Sequence, residues 1–235
     1  MRVLDETLAR VAEEYRERLA PAIPRVWQTA IESLRIDLRM WLERCVEAHA
    51  AWDPVAFELA FGTSAVRPED VDPLSLSEEV VLEGGFRLRG VADLVERRRG
   101  AQELRVTDYK TGRASAPRHL VVGGGGVLQP VLYALAAEQI FGAPVAESRL
   151  FYCTRAGQFQ ERVVRIAGTD APARGRDVLD AIDRAVSSGF LPAAPHAGAC
   201  GICDFRDVCG PHEELRTSRK QPGPIEGLRA MRQWR

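Results

Sequence analysis

The sequence predicts an α/β fold, and three observations carry that expectation. Apolar and polar residues alternate in several short runs, the period-two signature of strands. Longer stretches repeat their apolar residues at helical spacing. Both kinds of stretch succeed one another along 235 residues, enough chain for one substantial core or a core with a small appended element.

The first fifty residues read as two or three helices. The opening one is amphipathic through Val3, Leu4, Leu8 and Val11. Pro21 and Pro24 break it from the second, since proline has no N–H to give a helix interior. Trp27, Ile31, Leu34, Leu38, Trp41 and Leu42 then form an apolar stripe that reads as packing. Residues 54–62 look like a strand, 63–74 like a Pro- and Asp-rich loop, and Val80 to Leu82 open another strand. Two alternating runs follow, Phe86 to Val95 and Leu104 to Tyr109. Their connection, Arg97 to Gln102, is charged and contains Gly100, which suits a hairpin turn.

Gly123 to Gly126 resemble a phosphate loop superficially, but no Lys-Ser/Thr follows, so they read as a flexible connection. From Val127 to Phe141 the period is helical and sets Gln129 and Tyr133 one turn apart on one face. Strands at 145–154 and 158–166 form a hairpin around Arg155-Ala156-Gly157, and a helix runs from about Ala171 to Ser188. Arg216 to Arg235 is basic and carries Leu228, Met231 and Trp234, either as a docking helix or as a frayed tail. The expected division is a helical segment at 1–52, a core at 53–193, a cysteine loop at 194–212 and a basic tail at 213–235.

Composition narrows the function classes. The chain is 46% apolar and 28% charged, as globular proteins are. No run of 18 apolar residues occurs and the N-terminus is acidic and amphipathic, so neither a membrane span nor a signal peptide is expected. Five cysteines, three of them clustered, suit metal ligation in a reducing, cytoplasmic setting better than a disulfide scaffold. A net charge of −1 argues against a generic nucleic-acid coat. Local basic patches and a bound metal can still draw in phosphate, with most of any such affinity then expected from a partner or a missing segment.

The chemistry concentrates in Gly90-Val91-Ala92-Asp93 and Asp108-Tyr109-Lys110-Thr111-Gly112. Pairing their strands brings Asp93 and Asp108 together, with Lys110 on the face of Asp108 two residues on. Two hard oxygen ligands for a divalent cation, beside an ammonium, are what phosphodiester hydrolysis requires. Lys110 is one of only two lysines against thirty arginines, and a compact ammonium suits water positioning.

Cys200, Cys203 and Cys209 form the second signal, three cysteines within ten residues bounded by Pro195, Gly198 and Gly210. A metal or cluster reads better than core packing. Zinc needs four Cys or His ligands, with His196 or His212 available to complete them; an iron–sulfur cluster wants four thiolates.

These residues resemble the PD-(D/E)xK nuclease superfamily, and within it the RecB-like and AddB-like nucleases attached to DNA-repair helicases. The resemblance spans roughly residues 55 to 212 and rests on an ordered set. A Gly-x-x-Asp run comes first, then Asp-Tyr-Lys-Thr-Gly, then Gln129-x-x-x-Tyr133, then the C-x2-C-x5-C tail. Asp-x-Lys alone is weak; the ordered set is strong. It implies a restriction-endonuclease-like fold, a mixed central sheet flanked by helices. It also implies a metal-dependent DNA exonuclease of double-strand-break repair or recombination, with a helicase subunit or domain as partner.

Mg²⁺ or Mn²⁺ would be held by Asp93, Asp108 and the Tyr109 carbonyl, with Glu58 in the place of an upstream acid. Lys110 would be the catalytic lysine, and Gln129 and Tyr133 would contact the DNA backbone. The tail would supply three ligands of a [4Fe–4S] cluster, preferred over zinc, with a fourth cysteine upstream. Here only Cys45 and Cys153 remain, and both read more naturally as small buried hydrophobes. Either Cys45 is the fourth ligand or the chain begins downstream of the family's first segment, the reading preferred. The alternative function is a catalytically silent iron–sulfur or zinc-bearing scaffold that binds DNA or a helicase.

Overall fold

The computed structural model describes residues 1–63, 72–190, 192–196 and 198–234, so most of the expected loop at 63–74 lies outside the described residues. Two helices open the chain, α1 (Arg2–Leu19) and α2 (Pro24–Ala48). Strands β1 (Trp52–Phe61), β2 (Val80–Val81), β3 (Arg87–Leu88), β4 (Gly90–Arg98) and β5 (Leu104–Lys110) follow. After α3 (Gln129–Phe141) come β6 (Val145–Tyr152), β7 (Glu161–Arg165) and α4 (Ala171–Ser187). Three further helices close the chain: α5 (Arg206–Cys209), α6 (Glu213–Ser218) and α7 (Pro222–Met231).

The central sheet has the order β1-β4-β5-β6-β7 and is mixed, because β5 and β6 run parallel and the other neighbours antiparallel. Parallel neighbours need a long crossover, and residues 111–144 with α3 supply it. The crossover lays α3 on the sheet: Val131, Ala134 and Ala137 join Val95, Val106, Leu150 and Tyr152 in one buried cluster. Gly175 of α4 has its space filled by Val131, whose Cγ1 would stand 2.7 Å from an added Cβ, so the two helices pack closely. The fold expected from sequence is therefore the one observed, a mixed sheet flanked by helices.

The second helix, α2, meets the same sheet. Trp41 packs edge-on against Tyr109 at 5.6 Å, and the Arg44 guanidinium lies over Phe159 at 4.1 Å. The Arg155 side chain reaches Asp37 Oδ1 (2.7 Å) and Ser33 Oγ (2.7 Å), tying the β6–β7 turn to α2. Between α2 and the sheet lies a buried ionic network. Arg105 donates twice to Glu96 (2.7 and 2.8 Å), and Arg149 donates to Thr107 (2.8 Å) and to Glu161 (2.7 Å). Such a network is weak evidence for net stability, but its members sit on four adjacent strands, and slippage of any one leaves a buried charge unpaired.

Three local expectations are corrected. The run from Phe86 to Val95 is not one strand: Arg87–Leu88 pairs with Val80–Val81 in a separate two-stranded sheet, and β4 starts anew at Gly90. The turn after β6 is wider than Arg155–Gly157, with Gln158 and Phe159 both at positive φ. Gly123 to Gly126 are seated, not loose. Gly124 N–H donates to Trp234 O at 2.8 Å, and Met231 and Trp234 pack on the core beneath α7. The basic end of the chain is thus a docked helix, with Ile225 buried. Among the described residues no helix is long and apolar enough to cross a membrane.

Candidate active site

Strand register builds the site. β4 and β5 pair with Leu94 opposite Thr107, so one step further along the antiparallel ladder Asp93 stands opposite Asp108. Asp93 Oδ2 accepts a hydrogen bond from the Tyr109 N–H at 2.6 Å, which fixes its carboxylate at the end of β5. Asp108 is 5% exposed. Lys110, half-buried and two residues on, places Nζ 2.6 Å from Asp108 Oδ2. The ammonium also donates to Gln129 Oε1 at 2.9 Å, so the first residue of α3 holds the lysine from across the cleft.

Lys110 Nζ is thus the partner of this buried carboxylate oxygen. Burial pushes the Asp108 carboxyl above the ordinary carboxylate range, Lys110 pulls it back, and Asp93 adds to the rise. Two neighbouring carboxylates, one of them buried, are a fitting place for a hard cation. Among the described residues no three His, Cys, Asp or Glu side chains gather closely enough to hold an ion. Asp93 and Asp108 are thus a pair, and a backbone carbonyl and waters would complete the shell. Mg²⁺ is ordinarily held in that way, through one or two carboxylates.

Gly90 explains the Gly-x-x-Asp spacing physically. A Cβ there would stand 3.0 Å from Tyr133 Oη and 3.1 Å from its Cε1, so the glycine is the seat on which Tyr133 rests. The Tyr133 ring also meets Phe61 edge-on at 5.8 Å. Two residues expected at a DNA contact, Gln129 and Tyr133, thereby take structural partners, one on the lysine and one on β4.

Glu58 is not gathered with the pair. By register it lies across from Asp93, between Phe57↔Leu94 and Leu59↔Ala92, but it is exposed and its φ is +49°. Cys153, read as a buried hydrophobe, borders the site: its Sγ lies 3.7 Å from the Lys110 carbonyl. Burial raises its thiol, and the nearby Asp93 and Asp37 carboxylates raise it further.

The cysteine loop lies on different elements. Cys200 is buried in a short turn at Ala199–Ile202, and Cys203 and Cys209 are exposed. Cys203 and Cys209 are close enough to raise the Cys200 thiol, after the larger effects of burial, Glu214 and Glu213. Cys45 is elsewhere, half-buried beside Tyr109 and Cys153. Among the described residues the three loop cysteines share one stretch of chain but do not gather into a group that could hold a metal ion, and no fourth thiol stands with them, so the expected cluster site is not formed there.

A mixed sheet carrying two acids on neighbouring strands and a lysine two residues past the second defines a class, the metal-dependent phosphodiesterases of nuclease type. The family model of the PD-(D/E)XK nuclease superfamily matches residues 1–210, and the chain belongs to that superfamily. The match does not single out its iron–sulfur, helicase-attached branch. No curated protein matches the sequence. One similar solved structure, "Crystal structure of SSO0001", is 16% identical with a TM-score of 0.34, covering 88% of this chain and 81% of that one. A likeness so distant says nothing about activity.

Proposed function

We propose that the chain is a metal-dependent deoxyribonuclease, an exonuclease of break repair or recombination that works with a helicase partner. The observation that carries the nuclease reading is the convergence of Asp93, Asp108 and Lys110, with Gln129 holding the lysine. Asp93, Asp108 and the Tyr109 carbonyl would hold Mg²⁺ or Mn²⁺, which supplies Lewis-acid polarisation of a phosphoryl oxygen and a more acidic water. Lys110 orients the attacking water or offsets charge that develops on the phosphate. Gln129 keeps the ammonium over the cleft while substrate displaces it from Asp108. Exonuclease mode, repair role and helicase partner rest on the motif order alone.

The test is cleavage of linear and plasmid DNA with Mg²⁺ or Mn²⁺ against EDTA. Lys110→Ala is expected to lower the rate by about 10²–10⁴-fold, the worth of a positioned proton-handling group. Asp108→Ala is expected to abolish cleavage with the thermal midpoint held. Full activity in both variants would remove the mechanism, and metal-independent DNA binding without cleavage by the wild type would favour the silent scaffold. The loop is proposed as a cluster site only if its fourth thiolate comes from outside the described residues. Visible absorbance after anaerobic purification supports that, and one equivalent of zinc opposes it. No step of the proposed chemistry passes through it.

A further inference from the structure

Among the described residues Asp93 accepts one hydrogen bond, from the Tyr109 N–H at 2.6 Å. That bond forms where the β4–β5 ladder has ended. The last registered pair is Leu94↔Thr107, and beyond it a side chain of β4 meets the backbone of β5. The ladder between these two strands therefore does not fix the Tyr109 amide. Side chains alternate along β5, so Asp108 and Lys110 share the α3 face, whereas Thr107 and Tyr109 share the α2 face. Asp93 is in step with the core residue Val95 and belongs to the α3 face too.

On the α2 face the Tyr109 ring is clamped. Trp41 meets it at 5.6 Å with an interplanar angle of 84°, and Phe151, its registered neighbour on β6, meets it at 5.9 Å and 46°. Aromatic pairs favour such edge and tilted arrangements. Phe151 is buried, and Cys45, one turn past Trp41 on α2, stands within hydrogen-bond reach of the phenol. Any shift of the Tyr109 amide must drag the ring against these packed neighbours. We infer that Trp41 and the Tyr109 ring are positioning residues. Held from across the sheet, residue 109 keeps its N–H on Asp93 and so sets that carboxylate for a divalent cation. The helix α2 thus takes part in building the site without touching what binds there.

The role toward a cation rests on the nuclease reading, but the placing of Asp93 is measurable in the metal-free protein. Two quantities are read without DNA: exchange of the Tyr109 amide by NMR in EDTA, and Mn²⁺ affinity by calorimetry. Trp41→Leu is expected to speed exchange at Tyr109 selectively and to weaken Mn²⁺ binding about tenfold, the lower end of what losing an outer partner of a metal ligand costs. Trp41→Phe should restore most of both. Arg44→Ala loosens the same helix by removing a guanidinium from over Phe159, a contact that does not involve Tyr109, and should change neither. Tyr109→Leu removes the ring from the other side of the contact and reports the same quantities should Trp41→Leu not fold. A Tyr109 amide as protected in the leucine variants as in the wild type, or equal losses in Trp41→Leu and Arg44→Ala, would overturn the inference. So would a freed amide with Mn²⁺ affinity unchanged. Wild-type protein that takes up no Mn²⁺, while Trp41→Leu still frees the Tyr109 amide, would instead count against the nuclease reading alone.

Discussion

The acid pair and the cysteine loop announce themselves equally loudly in the sequence, and the structure treats them in opposite ways. Asp93 and Asp108 lie fifteen residues apart in the chain, yet the ladder of β4 and β5 sets them opposite one another. Asp108 sits in a row of buried β5 residues, and both the Tyr109 N–H and Gln129 orient the groups around it. Cys203 and Cys209 are six residues apart and exposed, on a loop whose apolar neighbours Ile202 and Val208 are 87% and 85% exposed. Register in a sheet is fixed by everything the strands bury, so it positions side chains with no ligand present. Spacing in a short loop fixes only reach, and geometry there depends on what binds or covers it.

The sharpest way to break this contrast is kinetic. If the two regions share one function, damage to either stops cleavage. The structure predicts otherwise. Lys110→Ala should lose about 10²–10⁴-fold in rate, whereas Cys203→Ser and Cys209→Ser should cut DNA at the wild-type rate over short assays. A cysteine variant that folds normally and yet loses cleavage to the same degree would join the loop to the active site.

The parts of this contrast that were legible in the sequence are those carried by periodicity and close spacing. The Asp93–Asp108 pairing followed from two alternating runs and a turn short enough to allow only one partner. The tie between Lys110 and Gln129 was not legible, because eighteen residues of crossover separate them and no pattern states where α3 lands. Nor was the role of Tyr133 visible until Gly90 was seen beneath it. Arg105, Arg149 and Glu96 sit at polar positions that alternation assigns to solvent, but α2 covers that face, so they are buried. The docking of α7 against Gly123–Gly125 left no signal, since three glycines read as freedom until a partner fills their space.

A second comparison uses one glycine from each region. An added methyl at Gly90 meets the Tyr133 ring at 3.0–3.1 Å, and at Gly201 it meets nothing within 4 Å. Gly90→Ala is therefore expected to cost about 1–3 kcal/mol, the usual range for overpacking. Gly201→Ala should change stability by no more than about 0.5 kcal/mol. Chemical denaturation of both variants measures the difference. Adding Tyr133→Phe to Gly90→Ala removes the 3.0 Å contact with Oη and should recover part of the loss, because the two sites couple. Equal midpoints for Gly90→Ala and Gly201→Ala would show that Tyr133 does not rest on β4.

The smallest expected effect, and the most direct on the loop itself, is thiol reactivity. Burial raises the Cys45, Cys153 and Cys200 thiols, with neighbouring carboxylates adding at Cys153 and Cys200. A raised thiol holds less thiolate at any given pH, and thiolate is the reacting form, so these three should react slowly at about pH 8. Cys203 and Cys209 are exposed and should react at once. In the native protein free of bound metal, a disulfide-exchange reagent should count two fast thiols, with the remaining three appearing on unfolding or as the pH rises. If the loop carries a cluster or zinc, the fast pair disappears until a chelator or acid strips the site. Five fast thiols in the native protein would show that the packing drawn around Cys45 and Cys153 is not the packing in solution.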